Sequence, residues 1–88
     1  MPTEYSLCQN YPNPFNPGTT IQYYLPKSAD VSLGIYNTLG QLVAILVNER
    51  KDAGSYQVEW NANVPSGIYF YRLQAGEYLE TKKMIFLR

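Results

Sequence analysis

The stretch Asn10-Tyr11-Pro12-Asn13-Pro14-Phe15-Asn16-Pro17-Gly18 constrains this chain more than any other. Each proline fixes its own φ, lacks a backbone N–H donor and restricts the residue before it to extended geometry. No helix and no central strand can pass through such a run. It is a stiff, specifically folded loop, with Tyr11 and Phe15 as apolar anchors able to pin it to a core. Near one end of a small domain, such a loop is either a structural plug or a recognition element.

Beyond Gly18 the chain is a series of short β-rich runs, broken every ~10 residues by Gly, Pro, Asn or Asp, the spacing of a sandwich or barrel. Thr20–Leu25 alternates, with Ile21, Tyr23 and Leu25 on one face. Val31–Tyr36 alternates again, and Asn37-Thr38-Leu39-Gly40 reads as a hairpin turn. Gln41–Val47 is apolar on both of its faces, so it is expected as a strand covered on both sides or near a sheet junction. The charged 48–54 segment is expected as an exposed loop. Ser55–Trp60 and Ile68–Leu73 alternate cleanly, and Ala75-Gly76-Glu77 is a tight turn between the latter and a last strand, Tyr78–Leu87. The register of that strand is ambiguous at Lys82-Lys83, where a bulge would resolve it. A short strand near Tyr5–Gln9 makes six or seven in all. No segment carries an amphipathic 3.6-residue pattern of helical length.

An 88-residue chain is one domain and buries roughly 60–65% of its unfolded surface, enough for marginal independent stability. Hydrophobic residues make up 45% of it, which argues against disorder. Seven cations balance seven anions, so nothing draws nucleic acid or an anionic membrane from a distance. The apolar run at Leu42–Val47 is far short of the ~20 residues of a membrane-spanning helix, so no membrane insertion is expected. The first residues lack the charged and apolar regions of a signal peptide. Residues 1–4 are expected to be linker or added sequence, with the core over 7–88.

The chain has no histidine and a single cysteine, Cys8. The commonest general base and metal ligand are therefore missing, no Cys/His pair can form and no intrachain disulfide is possible. No P-loop, GxGxxG or GxSxG is present. The carboxylates fall mostly at turns or on outward faces. We therefore expect no catalysis, no metal and no cofactor.

Nine tyrosines and one tryptophan admit two readings. Exposed rings can stack on sugars, and large rings can fill the core of a small sandwich. Tyr23, Tyr56 and Trp60 share faces with aliphatic residues, which favours core, whereas Tyr24, Tyr36 and Tyr78 fall on faces that read as exposed. Gly67 followed by Tyr69 has the spacing of the tyrosine corner of immunoglobulin-like sandwiches, with Tyr71 where antibody domains place a cysteine. The expected fold is an all-β, Ig-like antiparallel sandwich of about seven strands without a disulfide.

The order of these pieces closely resembles a known family. The Pro/Asn run at 10–17 opens the domain, Ile35-Tyr36-Asn37-Thr38-Leu39-Gly40-Gln41-Leu42-Val43 comes next, and then Gly54-Ser55-Tyr56, Trp60-Asn61 and Pro65-Ser66-Gly67-Ile68-Tyr69-Phe70-Tyr71-Arg72-Leu73. Lys82-Lys83-Met84-Ile85-Phe86-Leu87-Arg88 ends it. This resembles the type A C-terminal sorting domain of the type IX (Por) secretion system, and is also similar to the Ig-like domain of flagellar hook-capping proteins.

The resemblance implies a non-catalytic address label at the end of a larger secreted enzyme or adhesin of a Bacteroidetes-like Gram-negative bacterium. The parent protein would reach the periplasm by a Sec signal and be recognised by an outer-membrane translocon. A cell-surface sortase would then act on it. Matched by motif, the candidate recognition residues are Pro12, Asn13 and Pro14, then Gly67 and Tyr69, then Lys82, Lys83, Met84, Ile85, Phe86 and Leu87. Each has a plainer reading. The prolines can plug the end of a sandwich, Gly67 and Tyr69 can serve structure first, and the last strand can simply complete a sheet. A last strand can also offer an open edge to a partner, which makes it the stronger candidate. The alternative is a carbohydrate-binding or structural Ig-like accessory module of a secreted enzyme.

Overall fold

The computed structural model describes residues 4–87, so most of the segment expected as linker, and Arg88, lie outside it. Seven strands succeed one another: β1 (Ser6–Leu7), β2 (Gly18–Leu25), β3 (Ala29–Tyr36), β4 (Leu42–Lys51), β5 (Gly54–Asn61), β6 (Gly67–Ala75) and β7 (Tyr78–Phe86). They form two antiparallel sheets, ordered β1-β2-β5 and β4-β3-β6-β7. The fold is an all-β, Ig-like sandwich. The fourth strand pairs with β3, unlike the constant-type immunoglobulin arrangement, where it joins the other sheet.

Alternation explains the core directly, because successive side chains of a strand point to opposite faces. Ile21, Tyr23 and Leu25 of β2 meet Val31, Leu33 and Ile35 of β3, Tyr71, Leu73 and Ala75 of β6, and Met84 and Phe86 of β7, all buried. The turns predicted around Gly40 and Gly76 are present. Asn37 shapes the first, its Oδ1 accepting from the N–H groups of Leu39 and Gln41 at 2.9 Å each.

Four expectations are corrected. The charged 48–54 segment is not a loop. β4 runs to Lys51, Asn48–Lys51 pair with 29–32, and only Asp52 and Ala53 separate β4 from β5. Its charges fit because one face of this edge strand is solvated, as in the Arg50–Asp30 ion pair at 3.4 Å. For the same reason Leu42–Val47 is not covered on both sides: Leu42 and Ile45 are 52% and 57% exposed. Register shifts along β3–β4, at Leu33/Gly34 and Ile35/Tyr36, accompany the broken alternation. In β7 the register runs without a shift from Tyr78 to Phe86, and no bulge occurs at Lys82-Lys83. The polar inward positions of that strand are satisfied at the rim instead. The Tyr78 hydroxyl bonds Glu80, and Lys82 Nζ lies 3.2 Å from the same carboxylate. Finally, Tyr24, Tyr36 and Tyr78 are half-buried rather than exposed.

Where a disulfide would tie the sheets of an antibody domain, Tyr71 does so by hydrogen bonds. Its hydroxyl donates to the Cys8 carbonyl at 2.6 Å and accepts from the Asn10 N–H at 2.8 Å. Burial pushes both the Tyr71 and the Tyr23 hydroxyl up to about 12. In an unfolded chain a tyrosine titrates at about 10. Between those values the unfolded state binds fewer protons than the folded one, so stability falls as pH rises. The contribution is fully present below about pH 10 and is lost through about pH 12. A pH series of urea midpoints will show a decline beginning near pH 10, and a midpoint unchanged through about pH 11 would contradict this.

Candidate functional site

The Pro/Asn loop and the last strand meet. Ile85 turns both backbone groups away from β6. Its N–H donates to Asn13 Oδ1 at 2.9 Å and its carbonyl accepts from the Phe15 N–H at 3.0 Å. The Leu87 N–H then donates to the Phe15 carbonyl at 3.1 Å, which makes Phe15 and Phe86 a parallel bridge. Further back, Gln9 Nε2 donates to the Lys83 carbonyl at 2.8 Å. The outer edge of β7 from Lys83 to Leu87 is therefore filled by its own chain, and is not the open edge expected from sequence.

Phe15 anchors this contact. It is buried between Phe86, with ring centroids 5.1 Å apart, and Trp60, at 5.8 Å, and Trp60 in turn meets Tyr69 edge-on at 6.0 Å. Such ring pairs add to the area they bury. The expected second anchor, Tyr11, is 80% exposed. Its backbone pairs with Thr20, and that pairing turns the ring outward. The loop is held from below by two buried polar residues that sequence reading passed over. Asn10 Nδ2 donates to Thr19 Oγ1 at 2.9 Å and to the Pro12 carbonyl at 3.2 Å, and Thr19 Oγ1 donates to the same carbonyl at 2.9 Å. Only the density of Asn beside Pro hinted at this, since a loop carbonyl turned inward requires buried donors.

The predicted residues thus divide. Pro12, Asn13, Pro14, Lys83 and Leu87 are exposed, and Ile85 is half-buried. Tyr69, Met84 and Phe86 are core. Lys82 and Lys83 point to opposite faces, as neighbours in a strand must, and Lys82 is engaged with Glu80. The Tyr69 hydroxyl donates to the Pro65 carbonyl, four residues upstream, at 2.6 Å, which is the tyrosine-corner bond. Gly67 has φ +154°, with none of the described residues, its chain neighbours aside, within 4 Å of the position a Cβ would take. Backbone there is nearly glycine-only, so Gly67→Ala will cost about 1–3 kcal/mol by strain alone. A urea midpoint equal to wild type would refute that.

Cross-strand partners extend the exposed part of the site onto the outer face of the four-stranded sheet. Ile68 lies opposite Ile85, Phe70 lies between Tyr36 and Lys83, and Tyr36 lies opposite Leu42. Gly34 leaves room for this cover, since a Cβ there would stand 3.2 Å from Leu42 and 3.3 Å from Tyr36. The Arg72 guanidinium sits 4.8 Å from the Tyr36 ring centroid. The result is an apolar field flanked by the cations Arg72 and Lys83. No group of three His, Cys, Asp or Glu able to hold a metal occurs among the described residues, and no helix among them is long and apolar enough to cross a membrane.

An Ig-like sandwich whose last edge is sealed by its own Pro/Asn loop defines a small folded module with one composite end surface. The sequence matches the family of secretion system C-terminal sorting domains over residues 9–87, and the chain belongs to that family. It is a C-terminal sorting signal of type IX secretion, which implies a larger cargo protein that is secreted or displayed at the cell surface, and the machinery that carries it. No curated protein matches the sequence.

Proposed function

We propose that this chain routes a larger protein, joined at its N-terminal side, through the outer-membrane translocon to the surface of a Gram-negative cell, without catalysis of its own. The translocon reads the surface made by Pro12, Asn13 and Pro14 together with Lys83, Ile85 and Leu87. The observation that carries this reading is the hydrogen bond from the Ile85 N–H to Asn13 Oδ1, which joins positions 72 apart in sequence into one surface. Such a signal exists only when the domain is folded, so a receptor that reads it also tests that the cargo's last domain has matured. Gly67, Tyr69, Lys82, Met84 and Phe86 are positioning residues in this account. They set the entry to β6 and hold β7 in register. Recognition by the surface sortase comes after translocation and needs the same folded domain.

The test is a fusion of a Sec signal, a fluorescent reporter and this chain, expressed in a type IX-competent host and in the same host lacking the translocon. Reporter accessible to external protease in the first host, and periplasmic in the second, is the expected pair of results. Equal surface exposure in both hosts, or in neither, would overturn the proposal.

A further inference from the structure

Tyr11 takes no part in the proposed export surface, although its large ring is 80% exposed. Its backbone is fixed by paired bonds with Thr20, N–H to carbonyl at 3.0 Å and 2.9 Å in the two directions. The ring therefore stands on a rigid base at the outer face of the three-stranded sheet. Two adjoining cavities border that base and share Thr20. One, of about 300 Å³, is lined by Gln9, Tyr11, Thr20 and Gln22. The other, of about 220 Å³, is lined by Pro12, Gly18, Thr19, Thr20, Glu59 and Asn61.

The lining is chemically selective. It offers carboxamides, hydroxyls, one exposed aromatic ring and one carboxylate, and among the described residues no lysine or arginine lines either cavity. The amides are held in place. Gln22 Nε2 donates to Gln57 Oε1 at 3.1 Å, across the β2–β5 pair. The Asn61 side chain lies over Gly18, where a Cβ would come within 2.6 Å of its Oδ1. A phosphate or sulfate would meet Glu59 with no cation among the described lining residues to offset it. An aliphatic protein surface would leave the fixed amides unpaired. A sugar ring satisfies both requirements, with a C–H face for Tyr11 and hydroxyls for the amides and threonines.

We infer that the Tyr11 cleft binds a neutral polysaccharide, which gives the domain a glycan-binding function on the outer face of the three-stranded sheet. Pro12 alone is shared with the proposed export surface, and the inference is read by a different assay.

Affinity electrophoresis of the 88-residue chain in native gels tests it, with hydroxyethyl cellulose, mixed-linkage β-glucan, xylan and galactomannan as neutral probes and alginate as a polyanion. Wild type should be retarded by at least one neutral polymer and not by alginate. Tyr11→Ala should weaken that retardation by about tenfold with an unchanged urea midpoint, because its side chain is solvated. Gln22→Ala, on the cavity wall, should weaken it as well. No retardation by any neutral polymer, retardation by alginate alone, or retardation unchanged in both variants would overturn the inference.

Discussion

Phe15→Ala will cost this domain about 3–5 kcal/mol, the usual penalty for emptying a buried phenylalanine site. A small domain has only about 5–15 kcal/mol of total stability, so this loss is a large fraction of it. The loss has a second, local part. The ring fills the space between Trp60 and Phe86, and its backbone carries two of the bonds that seal β7. Without the ring nothing apolar presses the loop against the strand. The amides of Ile85 and Leu87, which donate to Asn13 and Phe15, will then lose hydrogen-exchange protection beyond what the global change explains. Tyr11→Ala will move the urea midpoint by less than about 0.5 kcal/mol equivalent, since its ring is solvated. Equal effects of the two substitutions would show that the loop is not anchored as described.

Tyr71→Phe will cost about 2–4 kcal/mol, although it removes one oxygen atom and no packing volume. That oxygen answers a buried N–H of Asn10 and the carbonyl of Cys8, and removing it leaves both without their partner, at about 1–3 kcal/mol for each buried group. Tyr23→Phe provides the internal comparison. The Tyr23 hydroxyl is buried and has no hydrogen-bond partner among the described residues, so its removal will be neutral or mildly stabilising. Urea unfolding of the two variants at neutral pH separates them. If Tyr23→Phe proves as damaging as Tyr71→Phe, the inter-sheet tie is not the hydroxyl bridge.

Most of the fold was legible because alternation is a local property. Ser55–Trp60 and Ile68–Leu73 show their inner faces in the letters themselves, and the structure buries Trp60, Tyr69, Tyr71 and Leu73. The edges were not legible, because what covers an edge lies elsewhere in the chain. Leu42–Val47 reads as doubly buried, but nothing in its own letters says that one of its faces is left to solvent. Lys82-Lys83 suggests a bulge until Glu80 is seen to neutralise the inward lysine. The site was half legible. The Pro/Asn run and the last strand could each be singled out, but their contact depends on a side chain bonding 72 positions away. Tyr11 and Phe15 looked equivalent as anchors, and only the pairing of Tyr11 with Thr20 decides which ring turns inward. Asn10 and Thr19 gave little warning beyond the density of Asn beside Pro, since polar residues are usually solvated.

Deleting Lys82–Arg88 would be a poor test of the export surface, because it strips Met84 and Phe86 from the core and any loss would report unfolding. The direct measurement keeps the core and changes only exposed groups. Lys83→Glu combined with Leu87→Asp reverses a charge and removes an apolar group beside the Pro/Asn loop, and both side chains are exposed. Ser55→Asp, exposed on the outer face of the other sheet, is the control. The quantity to read is the fraction of reporter fusion accessible to external protease in a type IX-competent host, with the urea midpoint of each purified domain alongside. The account predicts that the double variant keeps a near-wild-type midpoint, accumulates in the periplasm and loses most surface delivery, while Ser55→Asp is delivered normally. Normal delivery of a folded double variant would contradict the claim that this surface is what the machinery reads.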